Sequence, residues 1–118
     1  MAYSARLLDH FRYPRHAGEL PDSNAVAEAS NPVCGDVMKL WLRVDHDRVT
    51  AASFKAAGCV PAIACGSWLA DWICAGRSVE EALALMPQHI EAALDGLPTA
   101  STHAAQLAVD VLRKALAQ

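Results

Sequence analysis

The chain is short of charge and of long apolar runs. Only 19% of its 118 residues are Asp, Glu, Lys or Arg, and no stretch approaches the ~20 apolar residues of a membrane-spanning helix. The first residues, Met1-Ala2-Tyr3-Ser4-Ala5-Arg6, lack the apolar core of a signal peptide, and Asp9 and His10 follow closely. Basic clusters are missing and the formal charge is −3, which argues against nucleic acid and an anionic membrane as partners. Paired C-x-x-C units are absent, so there is no zinc finger. Internal repeats and low-complexity tracts are absent too. What remains is an alanine-rich chain, 53% apolar, of a size for one domain spanning 1–118. The expectation is a cytoplasmic protein whose four cysteines, at 34, 59, 65 and 74, stay reduced and unpaired.

Periodicity divides the chain in two. Tyr3, Leu7, Leu8 and Phe11 share one helical face, and Tyr13-Pro14 ends that helix. Residues 15–24, with Gly18 and Pro21, read as loop, and 25–29 as a short extended segment. From Asp36 the period becomes two. Met38, Leu40, Leu42 and Val44 point one way, while Lys39, Trp41, Arg43 and Asp45 point the other. Asp45-His46-Asp47 makes a tight connection, and Val49 to Ala57 returns with Phe54 as its anchor. The remainder is helical. One helix opens at Pro61 and stops at Gly76, and Ser78 with Glu81 signs a capping box for a short one. His89 to Asp95 forms another, and a last helix carries Leu107, Val111, Leu112 and Ala115 as its core stripe. The class is α+β: a small, about three-stranded antiparallel sheet with helices packed on one face.

Four metal-ligating residues stand at the edges of these elements. Cys34 and Asp36 precede the hairpin, Cys59 follows it after Gly58, and His103 opens the last helix. Antiparallel pairing brings Cys34, Asp36 and Cys59 to one end of the hairpin. Two thiolates, a carboxylate and an imidazole suit zinc or an iron–sulfur cluster, whereas magnesium and calcium want oxygen alone. Cys59 lies just before a helix start, where free amides favour a thiolate. Cys65 and Cys74 read as packing residues, and His10, His16, His46 and His89 as exposed.

Blocks in order along nearly the whole chain carry a resemblance. They include Ala2-Tyr3-Ser4, Asp9-His10-Phe11, Pro14-Arg15, Cys34-Gly35-Asp36-Val37-Met38-Lys39-Leu40, Phe54-Lys55, Gly58-Cys59, Ala62-Ile63-Ala64, Glu81-Ala82, Leu97-Pro98, His103 and Leu107-Ala108. In these the chain resembles the IscU/NifU-type iron–sulfur cluster assembly scaffolds. The resemblance implies a SufE/NifU-like fold and a scaffold or carrier without enzymatic turnover. Such a protein holds a transient [2Fe–2S] cluster, built from Fe2+ and cysteine-derived sulfur, and passes it to acceptor proteins. The same donors also suit Zn2+ as an alternative occupant. The implied ligands are Cys34, Asp36, Cys59 and His103, with Asp36 exchangeable. Implied partners are a cysteine desulfurase, iron–sulfur acceptor proteins and an Hsp70-type chaperone.

Two departures qualify this. The family's third cysteine, which follows the histidine and resembles the main acceptor of persulfide sulfur, is Ala104 here. The chaperone-docking segment Leu-Pro-Pro-Val-Lys is Leu97-Pro98-Thr99-Ala100-Ser101, without the second proline and the lysine. Two other readings use the same residues: a zinc-dependent persulfide sulfurtransferase working through Cys34 or Cys59, and a degenerate partner-binding protein that carries no cluster.

Overall fold

The structure, a computed structural model, describes residues 3–32 and 35–117. A helix α1 (Ala5–Arg12) leads into a meander of three antiparallel strands, β1 (Ala25–Ser30), β2 (Val37–Asp45) and β3 (Arg48–Ala57), in the order β1-β2-β3. Helices α2 (Val60–Ile73), α3 (Val79–Leu83), α4 (Pro87–Ala93) and α5 (Thr102–Leu116) follow, with a 3₁₀ turn at Thr99–Ser101 before the last. Helix α2 lies against β3 and α5 against β1 and β2, while α1 packs on α2.

The period-two pattern of β2 decides which face is covered. Met38, Leu40 and Leu42 are fully buried beneath the helices, in register with Ala56, Phe54 and Ala52 of β3. The β2–β3 turn places His46 and Asp47 at φ 53° and 62°. Two consecutive left-handed residues match the right-handed twist of the strands they join. A register shift between Arg43 and Val44 ends the regular pairing near this tip. Bonds from Val49 N to Arg77 O and from Val79 N to Asp47 O then fasten the tip to the α2–α3 connection. At Ser78 the expected capping box is present, its hydroxyl accepting from Glu81 N–H and the Glu81 carboxylate from Ser78 N–H.

Helix α2 is apolar nearly all round because it is enclosed by β3, α1 and α5. Its small residues set the spacing. A Cβ on Gly66 would stand 2.6 Å from the Phe54 ring, and Phe54 is itself only 2% exposed. Gly66→Ala is therefore expected to destabilise the fold by about 1–2 kcal/mol. Against a buried ring, overpacking costs the upper part of its usual range, about 2–3 kcal/mol, of which the better helix propensity of alanine offsets about 1. Chemical denaturation measures it, and an unchanged or raised midpoint would contradict the packing.

Residues 15–24, expected as plain loop, run beside the sheet. Phe54 N donates to His16 O and Gly18 N to Phe54 O, so Ala17 bridges β3 in parallel. Ser67 of α2, completely buried, fastens the start of this strap: its Oγ accepts from Arg15 N at 2.8 Å and lies 2.8 Å from His10 Nδ1. Burial first, and then the Arg15 guanidinium, hold the His10 imidazole below its ordinary pKa. That fits a neutral ring whose Nδ1 accepts from the serine hydroxyl.

Candidate metal centre

Three of the four expected ligands meet at one end of the molecule. Asp36 stands just before β2, Cys59 is the N-cap residue of α2, and His103 lies in the first turn of α5. Their ligand atoms all lie within 4.8 Å of one another. Cys34 falls outside the described residues. The chain on either side of it is closed by bonds from Gly35 N to Asn31 O and from Asn31 N to Asp36 O, both 2.8 Å.

Asp36 is the hub. It is 2% exposed, and a carboxylate so deep must find partners. Its Oδ1 accepts from the Cys59 backbone N–H at 3.0 Å, satisfying one of the free amides at the start of α2. Its Oδ2 takes two side chains at once, the Cys59 thiol at 3.1 Å and His103 Nε2 at 3.1 Å. Cys59 Sγ and His103 Nε2 are 4.0 Å apart.

Gly58 makes this possible. The group that approaches it is Asp36. A Cβ on Gly58 would lie 2.0 Å from Asp36 Oδ1, and its φ of 138° is one that other residues rarely adopt.

The spacings fit a tetrahedral cation. With metal–nitrogen and metal–oxygen bonds near 2.1 Å and metal–sulfur near 2.3 Å, the edges of a tetrahedron are about 3.3–3.6 Å. The observed separations of 3.1, 3.1 and 4.0 Å bracket that range. A cation entering here takes the place of the thiol proton that now bonds to Asp36. Half-buried Cys59 and His103 keep one side of the set open to solvent.

Ala104 directly follows His103 and is fully buried within α5. Leu97-Pro98 leads into the 3₁₀ turn at Thr99–Ser101, immediately before the helix that carries His103. Cys65 is fully buried, as its reading as a packing residue required.

Cys74 packs, partly buried, against the core, as its reading as a packing residue expects, and its sulfur also lies 3.3 Å from His16 Nε2. The same nitrogen is 3.3 Å from Asp71 Oδ1. Burial and the Asp71 charge push the Cys74 thiol above its ordinary pKa. His16 is therefore partnered as well as exposed. The i, i+3 spacing of Asp71 and Cys74 is visible in the sequence, whereas the arrival of His16 depends on the strap along β3.

The chain is similar to known proteins along nearly its whole length. The family model of the NifU-like N terminal domain matches residues 2–118. The iron–sulfur cluster assembly scaffold protein IscU of Haemophilus influenzae is 40% identical over 121 residues, covering 99% of this chain and 94% of that protein. IscU 1 of Archaeoglobus fulgidus is 39% identical over 114 residues, 97% of this chain and 74% of its own length. Among solved structures, the N-terminal part of a nitrogen-fixing NifU-like protein from Brucella abortus superposes with a TM-score of 0.77 at 17% identity. It covers 96% of this chain and 90% of that one. The chain belongs to the family of NifU-like N-terminal domains.

Proposed function

We propose that this protein is a scaffold on which an iron–sulfur cluster is assembled and from which it is passed to acceptor proteins. The observation that carries the reading is the meeting of Asp36, Cys59 and His103 at one solvent-facing end. IscU relatives that this chain covers over more than nine-tenths of their length support it. The cargo is a [2Fe–2S] cluster held by Cys34, Asp36, Cys59 and His103, with iron or zinc occupying the same donors in its absence. Histidine and carboxylate ligands exchange faster than thiolates, and histidine ligation raises the potential. A set with both suits release of a cargo better than permanent electron transfer.

Sulfur comes from a cysteine desulfurase in this reading, in a reducing, cytoplasmic compartment. Because Ala104 has no thiol, Cys34 or Cys59 takes the persulfide. The altered Leu97–Ser101 segment weakens docking of an Hsp70-type chaperone. The protein turns over no substrate of its own.

Anaerobic reconstitution with ferrous iron and sulfide tests the proposal. The wild type is expected to develop cluster absorption with matched iron and acid-labile sulfide, and Cys59→Ala and His103→Ala to lose it. No cluster in the wild type, with metal analysis empty, would reject the scaffold role.

A further inference from the structure

We propose that His16, Asp71 and Cys74 form a second, separate binding site for a zinc-class divalent cation at the C-terminal end of α2. Their ligand atoms, like those of the first set, lie within 4.8 Å of one another. His16 Nε2 is 3.3 Å from both Asp71 Oδ1 and Cys74 Sγ. Those are the edges of a tetrahedron about a cation with nitrogen, oxygen and sulfur ligands, about 3.3–3.6 Å.

The donors come from two independently fixed pieces of backbone. Asp71 and Cys74, three residues apart, share a face of the last turn of α2. His16 is carried by the strap whose neighbouring groups bond to Phe54 on both sides, through His16 O and Gly18 N. The strap is also held at Arg15 by buried Ser67. Neither piece depends on the ion for its position.

Charge points to a cation as well. The carbonyl end of a helix is negative, and α2 has no basic residue in its last turn. Two guanidiniums reach this end but spend their bonds on other groups than Asp71: Arg77 donates to Trp72 O, lies over the Trp72 ring and pairs with Glu81, while Arg48 donates to Gly76 O. Asp71 and a Cys74 thiolate would balance a divalent ion, with neutral His16 as third ligand. Nitrogen, oxygen and sulfur together select zinc or cobalt over magnesium or calcium. Three protein ligands leave a fourth position for water or an incoming group.

This site cannot share an ion with the first. Cys59 and Cys74 cap opposite ends of α2, and fifteen residues at 1.5 Å each separate them by about 22 Å. The inference stands whether or not the first set holds a cluster.

Cobalt(II), added anaerobically to the full chain, is the probe. In a Cys59→Ser/His103→Ala double variant, one equivalent is expected to produce a thiolate-to-cobalt absorption band. Adding Cys74→Ser to that variant is expected to abolish the band. With the first set intact, His16→Gln should remove one of two zinc equivalents measured by equilibrium dialysis, or weaken it at least tenfold. Circular dichroism of this surface variant should match the wild type. A band that survives loss of Cys74, or zinc binding indifferent to His16→Gln, would overturn the site and leave only an ion pair beside a thiol.

Discussion

Gly58→Ala is expected to lower stability by about 2–3 kcal/mol and to weaken zinc binding at Asp36, Cys59 and His103 about 10- to 100-fold. The backbone at Gly58 has φ 138°, a conformation that costs any other residue roughly 1–3 kcal/mol. The added methyl would also fall 2.0 Å from Asp36 Oδ1 and 2.6 Å from its Cγ. The carboxylate must then swing away. Cys59 N–H loses its acceptor, and Oδ2 leaves the thiol and the imidazole together. Gly96→Ala is the matched control, at a glycine that adjoins no ligand. Its φ of 97° makes it strained, but nothing lies within 4 Å of the new Cβ. It should lose about 1 kcal/mol and keep its metal affinity. Denaturation and zinc competition titrations on both variants check the pair. Full zinc affinity in Gly58→Ala would mean that Asp36 is not a ligand.

Much of this was legible from residue pattern because the fold is built from strong local signals. The alternation from Met38 to Leu42 fixed both the strand and its covered face, and the antiparallel hairpin then put Asp36 beside Cys59 without further information. The Ser78–Glu81 box and the apolar stripe of α5 were equally local. His103 was different. The sequence around it marks a helix start but not where that start packs, and only likeness to a family placed it with the other donors. The strap at 16–18 was missed for a similar reason: its order comes from backbone bonds to Phe54, which leave no periodic trace in side chains. With the strap unread, His16 appeared as one more exposed histidine, and Cys74 as filler at a helix end. The role of Gly58 was half legible. A glycine before a ligand signals close approach, but the approaching group is the carboxylate 22 residues earlier.

Cys65 is expected to react with iodoacetamide at least about a thousandfold more slowly than Cys59 in the native, metal-free protein, with the two rates converging in denaturant. The difference follows from their places on one helix. Cys59 caps the N-terminus of α2, half-exposed, its thiol against Asp36. Cys65 sits one and a half turns further in, with no accessible surface. Burial first, then the nearby Cys59 and Glu91 charges, push its thiol far above the ordinary range. Reaction there requires α2 to leave the core, and such opening approaches the global unfolding free energy, about 5 kcal/mol or more for a stable domain. That energy alone suppresses the rate by at least about 10³-fold, before the scarcity of thiolate is counted. Peptide mapping of alkylated cysteines after a timed pulse reads each position separately. The result bears on the sulfur route left open by Ala104. Under the scaffold reading proposed above, a persulfide forms only on a sulfur that a partner can reach, and a protected Cys65 is out of reach. Comparable labelling of Cys65 and Cys59 would show that α2 opens locally and that Cys65 is within a partner's reach.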